Sequence, residues 1–251
     1  MTDFTGLTPP PPPEEKPERW PFWSYTDLLY FIGFALPSLL GGALLVKVIA
    51  ALLHLNVQHK IFELLPAQFT GYGILFFLLW ALFKLEYDRP LWSSLGWVKS
   101  SRNLAVTAGW GFLLAIGVAL LSAAMHTPDV ESPMKELLSD RTSIILVGVF
   151  GVTLGPFFEE MIFRGFMQPL FVRSLGVIPG IIAAAVPFGL LHLQQYAFSW
   201  RHGLLITLAG AAFGWVRHIS RSTRASIFMH AAYNSTFFLA LAFQGKNLPH
   251  T

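Results

Sequence analysis

The sequence predicts an all-α fold: a polytopic transmembrane helix bundle of about seven spans. Three observations predict it. Hydrophobic residues fill 54% of the 251 positions and charged residues only 12%, against about 25% charged in a typical soluble domain. Mean hydropathy is +0.55. Apolar runs near the ~20 residues that cross a bilayer recur along the chain. They lie at about 28–53, 67–83, 103–124, 143–163, 177–198, 203–217 and 225–243. The net charge is +3 and the pI near 9.3. In a soluble protein that balance would suggest nucleic acid. Here Lys and Arg fall between the apolar runs, where they set membrane topology, and no nucleic-acid partner is expected. There is no cysteine, which excludes a disulfide framework, a thiolate nucleophile and a thiolate metal site.

Taken in order, residues 1–24 read as a Pro-rich disordered tail followed by an interfacial segment, and 25–251 as a membrane-embedded helical domain. The five prolines at 9–13 favour extended polyproline structure and cannot build a core. The start, MTDFTGLTPPPPPEEKPER, has neither the basic region nor the short apolar stretch of a signal peptide. WPFWSY at 20–25 reads as an aromatic belt at the membrane surface. The loop at 126–141 contains Ser132 followed by Pro133, an N-cap and first-turn proline that predict a short surface helix. The sixth run is short and interrupted by Gly203, Gly210 and Gly214, so a re-entrant segment is one expectation. Gly151 with Gly155, and Gly210 with Gly214, have the spacing that lets helices approach closely.

Loop charges predict orientation. A cytoplasmic N-terminus places Lys16, Arg19, Lys84, Arg89, Lys99, Arg102, Arg164, Arg173, Arg217, Arg221 and Arg224 on the cytoplasmic side. Lys60, Lys135, Arg141, Arg201 and Lys246 fall on the other, eleven against five, leaving out Lys47 within the first run. A multi-pass protein of the plasma (inner) membrane is expected, with the lipid bilayer as its surroundings.

Three places carry polar residues inside apolar runs: Glu159, Glu160 and Arg164 in FFEEMIFRG; His192 in PFGLLHLQQ; His230 and Asn234 in IFMHAAYNS. An ionisable group near a span centre costs roughly 2.5–3.5 kcal/mol on insertion scales, so each is a functional-site candidate. Glu160 and Arg164 are four apart and share a helix face. Glu159 points about 100° away, so one carboxylate can be held by Arg164 while the other stays free. Phe188 and His192, and His230 and Asn234, are also four apart. Each place alone has a bland explanation: a helix end with a structural ion pair, core histidines, an amide joining two helices. Together they suit hydrolysis. A carboxylate can act as general base on water, an imidazole can polarise a carbonyl or protonate a leaving amine, and an amide can donate to an oxyanion. Two His and one Glu would also suit zinc, although no HExxH is present. For straight, level spans, His192 would lie about 22 Å and His230 about 8 Å from the cytoplasmic end. A joint site therefore requires a kink at Pro187 or a shifted helix start.

EExxxR (Glu159–Arg164), FxxxH (Phe188–His192) and HxxxN (His230–Asn234), in that order on apolar helices, resemble the CPBP family. These are the CAAX prenyl proteases and bacteriocin-processing or immunity proteins, also called the Abi family. The resemblance runs over about 145–243, and LWSSLGWV (91–98) resembles a loop of many members. It implies an all-helical intramembrane endopeptidase acting on a peptide or protein substrate. Glu159 and Glu160 with His192 would handle the water, and His230 with Asn234 would stabilise the oxyanion. Arg164 would hold the carboxylates, and Glu159 is the expected base. The resemblance leaves open a divalent metal such as zinc on Glu159, His192 and His230. The alternatives are a non-catalytic scaffold or immunity protein of the same fold and, less favoured, a proton-coupled carrier.

Overall fold

The computed structural model describes residues 20–55, 60–138 and 140–244. The Pro-rich stretch 1–19, with Lys16 and Arg19, and the positions His59, Lys246 and His250 lie outside the described residues. Among those described, every regular element is helical. In chain order these are α1 (Tyr25–Leu52), α2 (Ile61–Tyr87), α3 (Leu91–Ser94), α4 (Leu104–Ala124), α5 (Pro133–Leu137), α6 (Arg141–Val152), α7 (Leu154–Glu160), a π-helical stretch (Met161–Met167), α8 (Gln168–Leu175), α9 (Val177–Leu191), a 3₁₀ turn (Leu193–Tyr196), α10 (Trp200–Ser220) and α11 (Thr223–Gln244).

The ends are set by local chemistry. Ser24 and Asp27 form a reciprocal capping box at α1. Asn103 caps α4, accepting from the Ala105 N–H at 2.8 Å, and Asp140 caps α6 through the Ser143 N–H at 2.9 Å. The predicted surface helix is α5, with Ser132 Oγ accepting from the Lys135 N–H at 3.3 Å. Helix breaks after Val152 because Pro156 has no N–H for the carbonyl four residues back, and Thr153 departs to φ −118, ψ −80.

Helices occupy all seven predicted runs. Four are long and apolar enough to cross a membrane: Tyr25–Leu52, Ile61–Tyr87, Leu104–Ala124 and the composite Arg141–Leu175; Val177–Leu191 is apolar but shorter. α10 and α11 have the length, but they carry Arg201, His202, Arg217 and Arg224, His230, Asn234 respectively. α10 runs unbroken through its three glycines, which corrects the re-entrant expectation. Large side chains such as Leu29, Leu36, Leu40, Leu44, Leu113 and Leu120 are exposed along α1 and α4, the surface that lipid covers.

In WPFWSY, Trp20 and Tyr25 are exposed as an aromatic belt requires, but Trp23 departs from that reading. Trp23 is fully buried. Its indole N–H donates to the Phe166 carbonyl at 3.0 Å, and its ring stacks on Phe83 and Phe166. An anchored indole with its donor satisfied ties the start of α1 to the π-helical stretch.

α4 packs most closely on α11 at Gly111, where an added Cβ would fall inside the Met229 carbonyl oxygen. On the same helix Gly117 faces open space. Gly111→Ala is therefore expected to destabilise by about 1–3 kcal/mol, whereas Gly117→Ala is neutral or slightly stabilising. Thermal unfolding in one detergent compares the two. Equal midpoints would mean that α4 and α11 do not touch there.

Candidate active site

Glu159 and Glu160 close α7, and Arg164 lies in the π-helical stretch that follows. Such stretches have lower intrinsic stability and gather at functional sites. Glu160 and Arg164 are both wholly buried and paired, Nη1 donating to Oε1 at 2.9 Å. Arg164 Nη2 donates to the Gly210 carbonyl at 2.8 Å. One turn on, Gln168 Nε2 donates to the Gly214 carbonyl at 2.9 Å. A Cβ at Gly210 would sit 2.9 Å from Arg164 Nη2 and from Phe188, and one at Gly214 2.7 Å from Gln168 Oε1. The glycines thus open α10 to a two-rung ladder. The guanidinium is also covered by the Phe188 ring, 4.3 Å from its centroid.

His192 directly follows α9. Its Nδ1–H donates to the Phe188 carbonyl at 2.7 Å, since a carbonyl can only accept, and this turns Nε2 toward Glu159 at 3.9 Å. His230, buried on α11, donates Nδ1–H to Glu160 Oε1 at 3.0 Å. Its Nε2 lies 3.8 Å from the other oxygen of Glu159, and its ring stacks on Phe213 at 4.5 Å. Both imidazoles are therefore fixed by their Nδ1 partners and present Nε2 to one carboxylate. Those separations exceed a direct hydrogen bond and suit a bridging water. With neutral imidazoles the group carries two carboxylates against one guanidinium, so one negative charge has no fixed counterpart.

The structure brings Glu159, Glu160, Arg164, His192 and His230 together. The pairing foreseen from spacing is present: Arg164 binds Glu160, while among the described residues Glu159 accepts no hydrogen bond. Asn234 lies one turn beyond His230, and its Nδ2 donates to the Gly151 carbonyl at 2.7 Å. One of its two N–H groups is thus committed to joining α11 to α6, and one is left. α9 starts at Val177 as drawn and α11 only two residues earlier than drawn, yet both histidines reach Glu159. Straight, level spans are thereby ruled out, and Pro187 lies within α9, where a kink was expected.

A cavity of about 860 Å³ has Glu159, His192, His230, Tyr233 and Asn234 at its inner end. It extends past Val118, Phe150 and Phe237 to Met134 of α5 and Tyr196 of the 3₁₀ turn. Those lie at the opposite end of the bundle from the Arg- and Lys-rich loops. The cavity thus runs from the site toward that end.

The metal set drawn from the sequence also needs correction. Among the described residues, no three His, Cys, Asp or Glu side chains are gathered to hold a metal ion. Bonds of 2.0–2.1 Å in a tetrahedron would bring donors to about 3.4 Å, closer than the 3.8 and 3.9 Å between Glu159 and the two Nε2 atoms.

Residues 141–236 match the model of one family, type II CAAX prenyl endopeptidase Rce1-like. The match spans well under half of the chain, and this stretch is similar to that family. It contains all six site residues named from the sequence and begins and ends a few residues before the predicted 145–243; the LWSSLGWV loop falls outside it. No curated protein and no solved structure shows significant similarity to the chain. The similarity to the Rce1-like family suggests intramembrane protease activity. With four spanning-length apolar helices, it marks an integral membrane protein.

Sequence reasoning overlooked Phe213, which stacks on His230, and Gln168, the second rung beside Arg164. The matched i,i+4 spacings of Arg164 with Gln168 and of Gly210 with Gly214 were the available signal for the ladder.

Proposed function

We propose that the chain hydrolyses a peptide bond with a water activated by Glu159. One observation carries this: the Nε2 atoms of His192 and His230 converge on the unpaired Glu159 carboxylate at the inner end of the cavity. A water there gives one hydrogen to Glu159 and the other to His192 Nε2, whose ring proton is committed at Nδ1, and this aims the water's lone pair at a carbonyl entering from the cavity. As the oxygen attacks, the water's proton passes to Glu159. The carbonyl oxygen becomes the oxyanion, facing His230 Nε2 and the uncommitted N–H of Asn234. His230 donates there only as the imidazolium, with Glu160 as its counter-charge. Collapse breaks the C–N bond, and Glu159 returns the proton to the leaving amine. Arg164 holds Glu160 and so positions His230. Glu159, His192 and His230 have the donor chemistry for a divalent metal but not its spacing, so no step is drawn through one.

We take residues 25–251 as a single membrane-embedded unit and place the N-terminus on the cytoplasmic face of the plasma membrane. The test is cleavage of quenched fluorogenic CAAX-type peptides, prenylated and unprenylated, by purified protein in lipid nanodiscs. Wild type cleaves; Glu159→Gln and His192→Ala do not. Equal cleavage by all three would sink the mechanism, and a wild type as inert as both variants would favour the scaffold alternative. Repeating the assay after chelation reads whether a metal takes part.

A further inference from the structure

A second pocket, of about 370 Å³, lies at the Arg- and Lys-rich end of the bundle, away from the cavity that holds His192 and His230. Arg217 of α10 lines it and is only 7% exposed. Its Nε has no acceptor, and it forms no ion pair among the described residues. None of the pocket's lining residues is acidic; Arg221, His218 and Trp20 stand beside Arg217 in its wall. A buried N–H left without an acceptor costs about 1–3 kcal/mol, and no carboxylate lines the pocket to balance the charge, so the site suits an anion.

The surroundings are built to hold it. Gly96 is left-handed at φ +77, and an added Cβ there would overlap Arg217 Nη2. The Gly96 carbonyl accepts from the Thr223 N–H at 2.9 Å, and Ser222 Oγ donates to the Val98 carbonyl at 2.6 Å. Loop 91–98 is thereby fastened to the α10–α11 turn, and the two form a fixed wall around the guanidinium. Gln168 Oε1, also in the wall, has no donor.

We propose that this pocket binds a phosphate group, presented by an anionic phospholipid headgroup. A guanidinium fork fits phosphate oxygens in a bidentate manner. Exposed Arg221 adds charge at the rim, and Trp20 is of the type that sits at headgroup level. Basic pockets between spans at the positively charged face take anionic headgroups. Arg164, which holds Glu160, also lines this pocket; the test reads lipid binding rather than cleavage, so its outcome is distinct from that of the hydrolytic mechanism.

The experiment uses delipidated full-length protein in neutral detergent, titrated with phosphatidylglycerol, diacylglycerol or inorganic phosphate. Bound lipid is counted by native mass spectrometry, and unfolding is followed by temperature. Phosphatidylglycerol is expected to bind saturably and raise the unfolding midpoint, while diacylglycerol does neither. Arg217→Met should lose about tenfold or more in affinity, with its lipid-free midpoint unchanged or raised, because an unpaired buried charge has gone. Arg221→Gln, at an exposed position, gives a second variant that keeps the fold and should bind a few-fold more weakly. A saturable shift with inorganic phosphate alone overturns lipid as the source. Phosphatidylglycerol binding equally to wild type and both variants overturns the site.

Discussion

Glu159→Gln is expected to lower kcat/KM by about 10²–10⁴-fold, the range a positioned general base contributes, while leaving thermal stability near wild type. The side chain is partly exposed to the cavity and makes no hydrogen bond to the protein. The amide is nearly isosteric, so little packing is lost, but it cannot accept the water's proton. Glu160→Gln should behave differently. That carboxylate is wholly buried and accepts from both Arg164 and His230. Neutralising it leaves the guanidinium buried without a counter-charge and removes the partner of a protonated His230. Activity and stability should therefore fall together. Steady-state cleavage and unfolding, measured in the same nanodiscs, separate the two. Equal behaviour of the two glutamine variants would refute the division of labour between these neighbours.

That division was readable before any coordinates, because a four-residue step fixes which carboxylate faces Arg164. The helices were readable for a similar reason: lipid demands long apolar runs. Spans α10 and α11 stood out less because they spend their composition on interior polar groups rather than on lipid-facing ones. Trp23 was misplaced because an aromatic at a predicted interface and an aromatic inserted between helices share the same local sequence; only the Phe166 carbonyl distinguishes them. The half of the bundle that holds the cavity was not readable either. It depends on which side chains of α2, α4, α6, α10 and α11 come to line one space, and no local residue pattern encodes that. The partner of Asn234 was hidden likewise, since Gly151 offers a backbone carbonyl that any residue could have supplied.

Arg164→Met is expected to destabilise the protein by about 3–5 kcal/mol, the cost of removing one partner of a buried ion pair. Three contacts are lost at once: the bond to Glu160, the bond to the Gly210 carbonyl and the cover beneath the Phe188 ring. The larger loss comes from Glu160, left charged with no access to water. Combining Arg164→Met with Glu160→Gln removes that orphan charge, so the double variant should be more stable than Arg164→Met alone, with a coupling of about 1–3 kcal/mol. Arg164→Lys keeps the charge but lacks the planar fork that reaches Glu160 and Gly210 together, and should fall between wild type and Arg164→Met. Each variant is also expected to lose cleavage, because Glu160 then no longer fixes His230. Thermal or denaturant unfolding of the four proteins in one lipid composition measures the cycle. Strict additivity of the two single losses would mean that Arg164 and Glu160 are not paired in the membrane.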